Sequence, residues 1–398
     1  MPSGSAPCYR CSTAISIALL ALAVAAVQAQ QRLTISAHES STQPTLVCFS
    51  PDGNVLATNG DVKPKGPAGM RLWDAKTGKM LLDITTLNSR TTELANYNLG
   101  LYRYRLLLTE RWREELGHCS SVAFTPDGMT LAWGTRGSLN TWNGRTGKIT
   151  EHKATRVDKN VGFGDGLYES IAVSRDGLSV ASVGTDYPFV VIFDMLTGKQ
   201  RTYWQAVESG GMRALAFSPK GPYLAVIGCE DPRVHVWDLS TGKLRRSLGD
   251  AADDFRASTF SFDGKRLAAA GKKIRAWNWL GNEEIGPLDG FENGGQCAAF
   301  LPKSAVLLAG SRDGQLRSWD LAAERQVGSQ LAHSGGNNRN IILNGKPITP
   351  AGGVTSLALS PDARQLATAG WDGNVKLWDV TQLVPQRPGS RPKAKNKK

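Results

Sequence analysis

"FSPKGPYLAVIGCEDPRVHVWDLSTGKLRRSL", Phe217 to Leu248, decides how this chain must be read. The Pro-Lys-Gly turn leads into an apolar run, "RVHVWD" alternates as a strand does, and the Thr-Gly-Lys at Thr241 turns tightly into a last strand, "KLRRSL". The phrase recurs: FSPDG at Phe49, FTPDG at Phe124, VSRDG at Val173, FSPKG at Phe217, FSFDG at Phe260, FLPKS at Phe300 and LSPDA at Leu359. The third residues of these turns are separated by 75, 49, 44, 43, 40 and 59 positions. Each turn is followed by an aromatic residue and usually an acid: Trp73-Asp74, Trp142-Asn143, Phe193-Asp194, Trp237-Asp238, Trp277-Asn278, Trp319-Asp320 and Trp378-Asp379. The turn-to-aromatic distances, 22, 16, 18, 18, 15, 17 and 17, keep one register through all the copies. Four short antiparallel strands in about 42 residues cannot bury both faces alone, so the units must cover one another, as in a radial ring.

These residues resemble the WD40 repeats of seven-bladed β-propellers, and the resemblance runs from about Arg32 to Leu383. It implies an all-β fold of seven four-stranded antiparallel blades. In the family a His, a Ser or Thr, an Asp and a Trp form a hydrogen-bonded tetrad within a blade. Thr368, Asp372 and Trp378 match most of one, and Ser182 with Asp186 part of another, while several blades lack the set. His118, which follows Gly117, matches the family's structural His. The family also closes its ring by lending an N-terminal strand to the last blade. Here "RLTISAH", Arg32 to His38, alternates like a strand, and only "VTQLVPQ" separates Trp378-Asp379 from the tail.

The ends of the chain divide into further segments. Ala14 to Val27 is an uncharged apolar run preceded by Arg10 and followed by Val27-Gln28-Ala29, the pattern of a cleaved export signal over residues 1–29. It falls short of the roughly 20 residues that span a bilayer as a helix, so no transmembrane segment is expected in the mature chain. The propeller then occupies 30–384 and a basic tail 385–398. Of the net charge of +12, six positive charges lie in that tail and one is Arg10, which leaves about +5 for the body, too little to imply nucleic acid. The tail either solubilises the chain or attaches it to anionic polymers. Cys48, Cys119, Cys229 and Cys297 follow neither a disulfide scaffold nor a zinc spacing, and Cys48 is read as a small buried hydrophobe.

Catalytic signatures are absent from the sequence. The five His residues are scattered, no GxSxG or HExxH occurs, and "GFGDG" at Gly162 lacks the strand-to-helix context of a phosphate loop. No cofactor or metal is expected. The extra residues instead accumulate in links that, in such propellers, leave one face: Thr86 to Gly117, Glu151 to Glu169, Ser329 to Gly352, and "DVKPKGPAG" from Asp61. The first of these holds about 33 residues beyond a repeat and overlaps all but the last residue of "LGLYRYRLLLTERWREELGH", Leu99 to His118. Tyr102, Tyr104 and Leu106 alternate with Arg103 and Arg105 as in a strand, whereas Leu101, Tyr104, Leu108, Trp112 and Leu116 fit one helical face.

On the same face the residues before the tetrad Asp align as Arg136, Thr185, Glu230, Lys272, Arg312 and Trp371. The candidate partner-binding residues are therefore Tyr102, Arg103, Tyr104, Arg105, Trp112, Arg136, Lys272, Arg312 and Trp371. Arg and Trp anchor protein interfaces, and three cations around an aromatic suit a partner with an acidic surface. The sequence thus predicts a monomeric, non-catalytic interaction scaffold for a protein partner, exported to a bacterial periplasm or the cell exterior. The alternative is an exported lactonase-like propeller hydrolase with a metal in the central channel, which needs carboxylates or His converging from several blades.

Overall fold

The computed structural model describes residues 31–37, 46–61, 68–83, 95–99, 102–106, 121–135, 138–143, 149–152, 168–184, 187–286, 288–291, 293–334, 341–343, 346–348 and 353–383. Among them, strands form seven four-stranded sheets and two separate two-stranded sheets. Blades one to six lie at 46–83, 121–152, 168–205, 212–248, 257–285 and 295–331, each an up-and-down antiparallel meander. The seventh consists of Val354–Leu359, Gln365–Gly370 and Asn374–Asp379, completed by Gln31–Ser36 from the other end of the chain.

That closing strand pairs antiparallel with the last one, Ser36 opposite Asn374, Ile35 opposite Val375 and Leu33 opposite Leu377. Ile35 and Ala37 are buried among Phe49, Trp73 and Ala369, so the strand fills the seam between blades seven and one. Arg71 fastens its end by donating from Nη1 to the Ala37 carbonyl at 2.5 Å. Beyond Asp379 the chain makes one short helix, Val380–Leu383, whose last carbonyl accepts from the Ser318 hydroxyl of blade six at 3.1 Å.

The core lies between blades, as the period of two along each strand dictates. In Tyr223–Gly228, Leu224 and Val226 pack with Ala181, Val183 and Ile192 of blade three. Their neighbours Ala225 and Ile227 pack on Phe260, Leu267, Ala269 and Trp277 of blade five. A strand buried on both sides reads as a continuous apolar run, which is why the second strands carry so little polarity.

The repeated turn has a hydrogen-bond logic. Ser50 donates from Oγ to Asp52 at 2.5 Å, Asp52 accepts the Asn54 amide at 3.0 Å, and Ser50 Oγ accepts the Val55 amide at 3.0 Å. The same closure joins Thr125 to Asp127, Ser174 to Asp176, Ser261 to Asp263 and Ser360 to Asp362. The acid of the Trp-Asp pair works likewise at the next turn: Asp194 accepts from the Thr197 amide and hydroxyl and from Arg201, contacts that hold its carboxyl well below the usual range. Gly53 at φ 73° and Gly242 at φ 67° take the left-handed conformation both turns require. Where the repeat has lost its glycine, Asn282, Glu324 and Ala363 adopt φ of 58°, 50° and 56°.

The link between blades one and two contains a hairpin, Ala95–Leu99 with Tyr102–Leu106, in which Tyr97 faces Tyr104 and Leu99 faces Tyr102. The alternating reading therefore holds over Tyr102–Leu106. A helical face through Tyr104 does not form, because the Tyr and Arg alternation finds a pairing strand just upstream. A second hairpin, Ile341–Leu343 with Lys346–Ile348, lies in the link between blades six and seven. The leader 1–29, the tail, Leu108, Trp112, Leu116, His118 and Cys119 are outside the described residues. Among those described, no helix is long and apolar enough to cross a membrane. Cys48, Cys229 and Cys297 are thiols, none in a disulfide. Cys48 is half-buried, not buried, because it alternates with the buried Val47 and Phe49 along its strand and lies on the other face.

Candidate functional site: one rim of the propeller

Antiparallel order puts the start of each first strand, the turn between second and third strands, and the end of each fourth strand at one rim. Both hairpin links leave from this rim. Its backbone is tied within blades, by the Cys229 amide to the Gly211 carbonyl at 2.8 Å, Arg312 to Gly294 at 3.2 Å and Trp371 to Gly353 at 3.1 Å. It is also tied between blades, by the Gly295 amide to the Gly271 carbonyl at 2.7 Å. A Cβ on Gly353 would stand 3.0 Å from both the Arg312 carbonyl oxygen and Trp371 Cδ1, so the neighbouring turns approach this closely only around glycine.

Lys272, Arg312 and Trp371 occupy equivalent places on this rim, each just beyond a second strand of blades five, six and seven. Lys272 and Arg312 are exposed, and Trp371 is half-buried beside Gly353. Glu230, the equivalent in blade four, accepts from Ser209 Oγ at 2.6 Å. Tyr102, Arg103, Tyr104 and Arg105 lie together on the hairpin strand of the first link. Trp112, Arg136, Thr185 and Asp186 lie outside the described residues.

Two rim residues escaped the sequence reading. Met212 pairs with Gly228 and Ala214 with Ile227, so Arg213 is the unopposed residue of a β-bulge at the start of its strand. Arg256 enters blade five at the corresponding position. Both reach Asp254, Arg213 Nη1 to Oδ1 at 2.5 Å and Arg256 Nη2 to Oδ2 at 2.9 Å. Burial works to raise the Asp254 carboxyl, but the two guanidiniums outweigh it and hold the group below its ordinary value. The register did carry the signal: each Arg stands four residues before the Phe of its turn motif, Phe217 and Phe260, a position the sequence reading did not compare.

Beneath the rim, blade seven carries a complete tetrad. His333 Nε2 and Thr368 Oγ1 are 2.8 Å apart, His333 Nδ1 lies 2.9 Å from Asp372 Oδ1, and Trp378 Nε1 donates to Thr368 Oγ1 at 2.9 Å. Its His, unassigned from sequence, stands at the start of the long link, far from the first strand of its blade, so spacing did not reveal it. Other blades substitute for the set. Phe255 meets Trp277 edge-on at 5.7 Å in blade five, with Arg275 5.5 Å above the indole. Phe291 stacks on Trp319 at 4.8 Å in blade six, with Arg317 5.2 Å from the Phe291 ring. In blade one Trp73 Nε1 donates to Thr58 Oγ1 at 2.9 Å. In blade four Val226 stands where blade seven has Thr368, and the buried Trp237 Nε1 has no acceptor.

Among the described residues no three His, Cys, Asp or Glu side chains converge as a metal site. Burial pushes the Cys297 thiol up to about 12, which makes it a poor nucleophile.

The family described as "WD domain, G-beta repeat" matches residues 200–238, 292–320 and 344–379. A ribosome biogenesis protein WDR12 homolog from Chlamydomonas reinhardtii is 26% identical over 128 residues, 31% of this chain and 27% of that protein. Human WD repeat-containing protein 3 is 29% identical over 136 residues, 34% of this chain and 12% of that protein. Its Dictyostelium discoideum homolog is 26% identical over 148 residues, 37% of this chain and 14% of that protein. The chain thus spans less than a third of the length of these relatives, all three eukaryotic. With WD40 repeats matched in blades four, six and seven and seven four-stranded sheets in the ring, the chain folds as a seven-bladed β-propeller that carries WD40 repeats.

Proposed function

We propose that this propeller is a non-catalytic scaffold, monomeric and exported, that holds a protein partner on the rim bearing its long links. The observation carrying this reading is the alignment of Lys272, Arg312 and Trp371 on one backbone-locked rim, from which both hairpin links also leave. A fixed backbone presents these residues in one arrangement, and Arg and Trp supply both area and directed hydrogen bonds. Export, and the bacterial source, rest on the leader and the style of the repeats. The test is affinity capture from the native envelope with the full chain, with residues 86–117 deleted, and with Lys272 and Arg312 both changed to Glu. Loss of the same protein from both altered baits is expected. The opposite rim supplies the control, because Leu196 is 85% and Phe262 54% exposed there. Recovery that is equal from all rim variants, or that is lost only on changing Leu196 and Phe262 to Ser, overturns the assignment.

A further inference from the structure

We propose that Arg213, Arg256 and Arg312 form a carboxylate-recognition site for an acidic peptide segment, in which Asp254 is a built-in competitor for the ligand. This rests on the scaffold reading above and specifies the chemistry of its rim. Asp254 is shared: one carboxylate oxygen meets Arg213 at 2.5 Å and the other meets Arg256 at 2.9 Å. Neither guanidinium therefore has the paired two-oxygen contact that its fork geometry favours. Arg213 also donates to the Cys229 carbonyl at 3.3 Å, whereas the Arg256 side chain stays 45% exposed.

Arg312, from the next blade, makes no ion pair among the described residues and stands within the field of both groups. Its guanidinium is held below its ordinary value by burial first and by Arg256 second, with Asp254 offsetting only part. Three cations thus stand about one anion, and the Lys272 amide ties its turn to the same segment by donating to the Asp253 carbonyl at 2.7 Å. A second carboxylate would relieve the Arg256–Arg312 repulsion and complete the hydrogen bonding that Asp254 divides between two partners. The half-buried Trp371, separated from the Arg312 backbone only by Gly353, offers an apolar surface for a residue next to that acid. A polyanion such as single-stranded DNA fits less well, because Glu230 and Asp231 interrupt the basic run at blade four.

Asp254 has φ 46°, a conformation asparagine also accepts, so Asp254→Asn removes the competitor while keeping the turn. Binding of a fluorescein-labelled octaglutamate peptide to the full chain at low salt is measured by anisotropy. The basic tail is common to all variants, so differences report the rim alone. Arg256→Gln and Arg312→Gln are each expected to weaken binding about five- to tenfold, and Asp254→Asn to tighten it by a similar factor. The opposite sign of the Asn variant separates recognition from a purely structural ion pair, whose loss tightens nothing. Absence of binding by the unaltered chain, Gln variants that bind as well as it does, or an Asn variant that binds no better overturns the proposal. So does an eight-nucleotide oligothymidylate that binds equally with the same variant dependence. The hairpins are untouched by these changes, so such a result beside lost capture on deleting 86–117 would discard the carboxylate site and leave the scaffold standing.

Discussion

Replacing His333 with Ala tests whether the tetrad of blade seven holds the long link between blades six and seven to the rim. His333 is fully buried and joins the Thr368 hydroxyl at 2.8 Å to the Asp372 carboxylate at 2.9 Å. Its removal leaves a carboxylate whose side chain is only 7% exposed, with the Asn374 amide at 3.0 Å as one of its remaining donors. Orphaning one member of a buried pair costs about 3–5 kcal/mol, and the surviving amide contact places this case near 3. The lost Thr368 bond adds about 1 kcal/mol. At roughly 2 °C per kcal/mol for a domain of this size, Tm falls about 6–8 °C in differential scanning calorimetry. Acid supplies an independent check. The folded Asp372 carboxyl is depressed: burial raises it, but the His333 hydrogen bond and charge, with Asn374, win. A depressed carboxyl contributes stability above its unfolded value and loses it as pH falls through the folded value. The difference between unaltered protein and variant should thus be widest at neutral pH and shrink below about pH 4. Adding Asp372→Asn to the His333→Ala chain should cost little more, because the orphaned charge is gone. A melting curve unchanged by His333→Ala, or a gap that widens in acid, would refute this account.

Two further predictions concern the ring and its turns. Deleting residues 30–37 should lower Tm markedly and produce aggregates visible by light scattering, since it uncovers the Asn374–Asp379 edge; Ile35→Asn alone should cost about 3 kcal/mol by urea unfolding, and an unchanged midpoint would sink the closure contact. Ala363→Gly relieves a φ of 56° and should raise stability by about 0.5–1 kcal/mol in the same assay, whereas a destabilised variant would show that the turn is not strained.

The repeats were legible because each turn announces itself chemically. A Ser or Thr, an Asp and a Gly at fixed offsets form one hydrogen-bonded closure, and losing one member, as at Ala363, still leaves the others readable. Ring closure was legible for a related reason: a blade one strand short demands a strand from elsewhere. What the sequence hid are contacts made across variable links. His333 reaches Thr368 and Asp372 from the start of the long link, with the rest of the insertion between them, so no spacing rule finds it. Phe255 and Phe291 do the tetrad's work through ring stacking and present no polar motif to search for. Arg213 and Arg256 share one register position, four residues before Phe217 and Phe260, but only the position that aligned Lys272, Arg312 and Trp371 was compared.

The seam between Gln31–Ser36 and Asn374–Asp379 also sets an order of events during synthesis. The first strand of the propeller to leave the ribosome has no partner until nearly the whole chain has followed, a wait of tens of seconds at roughly 5–20 residues per second. During that interval blades one to six can assemble in sequence, each covering its predecessor, while both ends of the growing stack stay raw. A ribosome that stalls anywhere before residue 374 therefore releases an open arc with an unpaired strand at its head. The seam makes completion of the chain a condition of closing the ring, and an incomplete product keeps exposed the edge that closure would have removed.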